Sequence, residues 1–325
     1  MRPLGQGGPV VPAIGFGCLS FGGMYGPTDR ATSLAALDAA WEGGIRHFDV
    51  ANIYGMGLAE DILGEWLETR RHPATVATKV GIVPGPPRRI DNSPAHIEAE
   101  LDASLRRLRA DRVDLYYLHR RAPEVPVEET AGVMARLVEK GKIGGWGLSE
   151  VAPATLRRAH AVLPVMAVQS EYSLWTRLPE LGLLQACAET GAAFVAFSPL
   201  ARGMFGETPI DPGTLAPTEF RARNPRFQPP NLAANEAHVA AFRAFARARG
   251  WPVAAAALAW VLDRAPHVHV IPGTRFATHV AQWMPAAAIR LTDTDRAEID
   301  RLLPPGFAHG ARYGAEQVNG VEDYC

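Results

Sequence analysis

The chain has 325 residues, 47% hydrophobic and 21% charged, which is enough apolar material for a large core and excludes a disordered chain. Its 33 Lys and Arg nearly cancel its 34 Asp and Glu, and a net charge of -1 excludes a broad phosphate-binding surface, so no nucleic acid partner is expected. Three scattered cysteines, Cys18, Cys187 and Cys325, exclude a disulfide framework or a cysteine zinc site and point to a reduced cytoplasmic setting.

In chain order, the first residues, Met1 to Gly8, lack an apolar stretch of signal-peptide length. A first strand is expected at Ile14–Gly17. An amphipathic helix follows over about 28–42 and stops at Gly43-Gly44, then a strand at Arg46–Asp49. A second helix over 58–70 leads to a strand at Val76–Lys79. Ser93-Pro94 reads as the cap and first residue of a third helix, before a strand at Val113–His119. Further strands are expected at Ile143–Leu148, Val165–Gln169, Ala193–Phe197 and Val268–Ile271, each separated by a helical pattern.

Eight strands alternating with helices imply parallel strands joined by crossovers, and at this length a closed (β/α)8 TIM barrel rather than an open sheet. One domain over residues 1–325 is expected, with no linker. The Pro- and Gly-rich stretch from Gly203 to about Pro230 is a long loop after the seventh strand, on the face where such barrels work. A last helix near 294–303 precedes a polar tail, His309 to Cys325, which reads either as a cover over the opening or as disorder. The longest apolar run, Val253–Leu262, is too short to span a bilayer, so no membrane partner is expected. The oligomeric state is not legible.

The chemistry sits at Asp49, Tyr54, Lys79 and His119. Three of them end predicted strands two, three and four, and Tyr54 lies in the loop after strand two. In a parallel barrel these ends share one face. Reducing a carbonyl by hydride requires a proton for the developing alkoxide. A free tyrosine, with a pKa of about 10, is a slow donor near neutrality. A lysine cation beside it lowers that value, and a buried lysine needs a carboxylate partner. The set therefore assigns Tyr54 as acid, Lys79 and Asp49 as its tuning pair, and His119 as a donor to the substrate oxygen. Singly, each residue has an ordinary explanation: a cap, rim packing, a solvated charge, a core histidine. Their joint position at successive strand ends does not. His267 and His269 alternate on the last strand without an acidic or thiol partner at ligand spacing, so no metal is expected.

Seven strings, Asp49–Gly55, Ala77–Val80, Asp114–Arg120, Gly145–Glu150, Gln169–Trp175, Phe197–Gly203 and Ile271–Arg275, resemble the aldo-keto reductases and follow that family's order across nearly the whole chain. Met24–Asp29, Trp175–Arg177 and Asn224–Phe227 resemble its branch of pyridoxal and broad aldehyde reductases. The resemblance implies an enzyme, an oxidoreductase acting on CH–OH groups, that reduces small-molecule aldehydes or ketones with NADPH. It implies that Ser149 and Gln169 hold the carboxamide and that Phe197, where Tyr is common, stacks on the nicotinamide. It also implies that Ser198, Leu200, Arg202 and Gly203 line the pyrophosphate, and that Thr274, Arg275, His279 and Gln282 hold the adenosine phosphate end. Arg275 has the planar fork suited to a 2′-phosphate. His279 stands where the family often has Arg, and Trp283 where it has Asn, which keeps NADH open as the alternative cofactor; Trp283 reads as an adenine stack or as core. Gly15-Phe-Gly17-Cys-Leu-Ser20 has Ser at the third glycine position and reads as a turn. The substrate wall is expected from Tyr25, Tyr54, Trp175, the loop after Gly203, and Tyr117 or Arg120. Two other functions use the same residues: an alcohol or sugar dehydrogenase running in reverse, and a nicotinamide-binding redox sensor.

Overall fold

In the computed structural model, which describes residues 1–85, 87–315 and 317–324, eight parallel strands form one sheet. They are β1 (Phe16–Gly17), β2 (His47–Asp49), β3 (Thr75–Val80), β4 (Leu115–Leu118), β5 (Trp146–Ser149), β6 (Ala167–Glu171), β7 (Ala193–Phe197) and β8 (Val268–Ile271). Spatial order follows chain order, as expected when each strand returns through a helix. The sheet closes on itself. Ile14 bridges Val270, the Gly15 amide donates to the Val270 carbonyl at 2.8 Å, and the Gly17 amide to the Pro272 carbonyl at 2.9 Å. The fold is thus the (β/α)8 barrel that the alternation predicts.

Local sequence explains the helix limits. Helix α1 (Arg30–Glu42) starts where the Asp29 carboxylate accepts the Thr32 amide at 2.7 Å, two residues later than the pattern suggests. Helix α2 (Leu58–Arg70) has the predicted bounds. Ser93 caps α3 (Pro94–Leu108), with Pro94 in its first turn. Helices α4 (Val127–Glu139), α5 (Pro153–Val162) and α6 (Leu183–Thr190) complete the next crossovers. Between β7 and β8 stand two helices, α7 (Asn231–Ala248) and α8 (Val253–Asp263). The apolar run Val253–Leu262 is buried along its whole length in α8, which explains its lack of polar residues. Helices α9 (Ala277–Trp283) and α10 (Asp293–Leu302) follow, the latter with a Thr292–Asp295 capping box. Among the described residues no helix is long and apolar enough to cross a membrane.

Two antiparallel hairpins lie outside the barrel count. Arg2–Pro3 pairs with Val10–Val11 and plugs the lower end, Leu4 and Val11 packing on Leu115, Ala167 and Val195. Ile82–Val83 pairs with Arg89–Ile90 above β3. The loop after β7 is a chain of short 3-10 turns rather than open coil. Near the end of the tail, the Glu322 amide donates to the Glu150 carbonyl at 3.0 Å, and its carboxylate takes the Ala152 amide at 2.8 Å and the Arg121 guanidinium. These contacts hold the described part of the tail against the residues just after β5, and Cys325 falls outside the described residues.

Candidate active site

Asp49 ends β2 and Lys79 sits near the end of β3. The register aligns Asp49 with Ala77, so Lys79 lies two residues further on, its side chain on the same side. Both side chains are at most 2% exposed. The Lys79 ammonium donates to an Asp49 carboxylate oxygen, to the Val50 carbonyl at 2.9 Å and to the Tyr54 hydroxyl at 3.3 Å. The second Asp49 oxygen accepts the Gln169 amide at 2.7 Å. The Tyr54 and His119 rings meet edge to face, with centroids 5.8 Å apart. The His119 amide donates to the Val80 carbonyl at 2.7 Å, tying the end of β4 to β3. Four groups separated in sequence share one rim.

The electrostatics differ from the sequence expectation in one respect. Burial raises the Tyr54 pKa above its ordinary 10.0, and the Lys79 cation opposes this without reversing it. The phenol is protonated at neutral pH, as a proton donor must be. Burial disfavours the Lys79 ammonium, but the Asp49 carboxylate and the Tyr54 oxygen outweigh it and its pKa moves up. His119 is driven well below 6.5 by burial and then by the cations Arg120, Lys79 and Arg88, so its imidazole is neutral and one ring N–H is a donor.

Above this rim lies a cavity of about 750 Å³, within the range of small-molecule sites. Asp49, Tyr54 and His119 line it, with Lys79 behind them. Ser149, the last residue of β5, and Gln169, within β6, line it too. Phe197 and Ser198 bring the end of β7, and Leu200, Arg202 and Gly203 the loop beyond. Thr274, Arg275, His279 and Gln282 form the far end, and Tyr25 one wall. The loop after β7 holds Ser198, Ala201 and Arg202 at positive φ (48°, 51° and 58°), ahead of Gly203 at 97°. Non-glycine residues held in this region cluster where a backbone must approach a ligand closely. The Arg202 guanidinium itself is spent on Glu171, at 2.6 Å inside the protein. The Thr274 hydroxyl meets His279 Nδ1 at 2.9 Å, and burial, then the Arg275 cation, lower the His279 pKa. Arg275 is thus the cation of that end; it bonds the Tyr25 carbonyl and forms no ion pair among the described residues.

Two expected substrate contacts are corrected. Trp175 is 4% exposed and packs edge-on to Phe227, with Arg226 over its face at 4.8 Å; it does not line the cavity. A large aromatic after a strand end fills the layer under the long loop here. Of the pair Tyr117 or Arg120, Tyr117 is wholly buried inside the barrel and Arg120 is the one that lines the cavity. Trp283 is 2% exposed and packs on Phe16, as the core reading has it, and its edge also lines the cavity. His267 and His269 each contact a main-chain carbonyl, of Leu184 and Pro3, at 3.1 and 3.0 Å. Sequence reading missed Arg88, and gave Phe220 and Arg221 only as part of the long loop and Tyr313 and Gln317 only as part of the tail; all five are on the cavity wall. The signal for Arg88 was available: Pro87-Arg-Arg89 is a basic pair in the loop above β3.

Residues 13–304 match the sequence model of the Aldo/keto reductase family. A probable aldo-keto reductase 1 from Glycine max is 37% identical over 325 residues, covering 99% of this chain and 92% of that one. The aldo-keto reductase yakc of Schizosaccharomyces pombe, whose name carries NADP(+), is 36% identical over 94% of this chain and 93% of its own. Among solved structures, the glycerol dehydrogenase AKR11B4 from Gluconobacter oxydans superposes with a TM-score of 0.84 at 29% identity, covering 93% and 94% of the two chains. A Klebsiella pneumoniae aldo-keto reductase in complex with NADPH does so at 0.74 and 29% identity, covering 94% and 95%.

Proposed function

The chain belongs to the aldo/keto reductase family, and from that premise we propose that its residues divide the reaction as follows. The protein is an oxidoreductase that reduces aldehydes or ketones to alcohols with NADPH. Bound NADPH supplies the hydride. The residues at hand suit it: a cavity of about 750 Å³ with Phe197 on its wall, and an Arg275 guanidinium without a carboxylate bridge among the described residues. Ser149 and Gln169, both on the cavity wall, would hold the carboxamide of the bound cofactor. Ser198, Leu200, Arg202 and Gly203 shape the backbone around the pyrophosphate. Thr274 and Arg275 hold the adenosine phosphate, with His279 and Gln282 beside it. NADH, lacking that phosphate, forgoes Arg275.

Tyr54 gives its proton to the carbonyl oxygen as the carbon receives hydride. The phenolate left behind lies 3.3 Å from the Lys79 ammonium, which stabilises it. Asp49 keeps Lys79 charged. Neutral His119 donates to the same carbonyl oxygen and orients it. Tyr25 bounds the substrate. The carrying observation is the Lys79 ammonium placed between the Asp49 carboxylate and the Tyr54 hydroxyl. One barrel domain over residues 1–325 carries the whole site. The pyridoxal and broad aldehyde reductase branch is the finer placement, supported by Met24–Asp29 and Asn224–Phe227. A cytoplasmic setting is supported by Cys18 and Cys187, both buried free thiols.

Replacing Tyr54 with Phe tests the reading. NADPH affinity, followed by fluorescence titration, should change little. The turnover number on a reactive aldehyde should fall by about 10²–10⁴, because only the proton donor is lost. Near-parental turnover would remove Tyr54 from the mechanism.

A further inference from the structure

Two arginines stand at the catalytic end of the cavity, away from the end assigned to the cofactor phosphates. Arg120 follows His119 directly and is 6% exposed. One terminal nitrogen donates to the His119 carbonyl at 2.6 Å and to the Ser149 hydroxyl at 3.2 Å, while its Nε is buried without a partner. Arg88, half-buried, enters from the hairpin above β3, and its Nε and one terminal nitrogen are likewise buried without a partner among the described residues. Neither forms an ion pair among the described residues. Glu150 is within electrostatic reach of Arg120, but its oxygens are taken by Arg312 at 2.5 Å and by the Glu171 amide at 2.7 Å. Both arginines line the cavity beside Tyr54 and His119.

A guanidinium with unsatisfied, buried N–H groups is costly unless an anion meets it. Here two such groups face one space, and each makes the other's burial worse. Burial and then the Arg120 charge lower the Arg88 pKa, and both cations help keep His119 neutral. The Nε and terminal N–H of one guanidinium edge match the two oxygens of a carboxylate. The cofactor phosphates are assigned to loops after β7 and β8, whereas these arginines come from loops after β3 and β4.

We propose that the substrate is a carbonyl compound bearing a carboxylate, which Arg88 and Arg120 hold while its carbonyl oxygen meets Tyr54 and His119. The proposal rests on the reductase reading. The carboxylate is a handle and takes no part in the bond changes: the carbonyl carbon gains hydride from NADPH and the oxygen gains the Tyr54 proton.

The test compares initial rates with NADPH on ortho-, meta- and para-formylbenzoate, each against the matching methylbenzaldehyde, with para-formylphenyl phosphate as a further arm. At least one formylbenzoate should exceed its neutral counterpart in kcat/KM by about tenfold or more. In Arg88→Met that ratio should fall toward one, chiefly through KM. Ratios near one for all three isomers in the parent, or a preference that survives both Arg88→Met and Arg120→Met, would overturn the proposal. A phosphate favoured over every carboxylate would overturn the choice of anion. Calorimetry with para-methylbenzoate, which has no reducible carbonyl, separates this idea from the reductase reading. Saturable binding to the NADPH-loaded parent, lost in Arg88→Met, supports the anion site even if no aldehyde is turned over. Absence of binding refutes it even if neutral aldehydes are reduced.

Discussion

Lys79 is a fully buried cation, which is sustainable only because a carboxylate, a main-chain carbonyl and a phenol surround it. That demand links Lys79, Asp49 and Tyr54 physically, with His119 packed on the Tyr54 ring, and all four were legible in the sequence because each occupies a strand end or the loop just after it and barrel geometry brings those positions together. The direction of the Tyr54 shift was not legible, because the depth of burial that outweighs the lysine follows from packing. Nor was the fate of Trp175, since a large aromatic near an arginine reads the same on a rim and under a loop. At the far end of the cavity, Arg275 is the only residue of the Thr274, Arg275, His279 and Gln282 group that carries a fixed charge, with His279 held neutral. Arg275→Ala should therefore weaken NADPH by about tenfold or more and leave NADH nearly unchanged, as read from dissociation constants for both cofactors. Equal losses for the two would show that this guanidinium does not read the 2′-phosphate.

The connectors place the catalytic groups as firmly as the strands do. The loop that carries Tyr54 runs against the short 3-10 helix Cys18–Gly22, and a methyl group added at Gly22 would sit 2.4 Å from the Gly55 nitrogen. That contact is with backbone, so relief requires moving the Tyr54–Gly55 segment itself. Gly22→Ala should lower kcat by tenfold or more, on the order expected for a displacement near 1 Å at a reacting group, with cofactor affinity largely kept. Stopped-flow rates together with titration would separate the two effects; an unaltered kcat would mean that the loop yields without carrying the phenol along. The start of α3 could be read from its Ser93-Pro94 cap, whereas the start of α1, set by the Asp29 carboxylate, comes two residues later than the apolar pattern indicates. The hairpins could not: Arg2–Pro3 with Val10–Val11, and Ile82–Val83 with Arg89–Ile90, are two-residue pairs without an alternating pattern, and their register comes from the barrel beneath them.

At the scale of the molecule, the two ends of the sheet meet between β1 and β8, and the lower part of that closure buries His47 and His269. Burial holds both near a pKa of about 4, against an ordinary 6.5, with the Lys79 charge adding to the first effect and His47 and Arg2 to the second. The unfolded chain binds these protons more readily than the folded one. Stability is therefore full above pH 6.5 and declines as pH falls from 6.5 toward 4, by roughly 3 kcal/mol for each histidine. Urea midpoints measured at neutral and mildly acidic pH should show this decline, and His47→Leu, which cannot titrate, should show less of it. A decline of equal size in that variant would assign the acid sensitivity elsewhere.

The same closure has a bearing on biosynthesis. The Ile14–Val270 bridge joins segments separated by most of the polypeptide, and the cavity wall draws on residues as distant as Gly17 and Gln317. A growing chain on the ribosome has its complete proton-transfer machinery by His119, yet no enclosed chamber until translation has passed the eighth strand. Fragments terminated before that strand therefore lack the closing strand and the cofactor-phosphate end of the cavity, and should show no reductase activity.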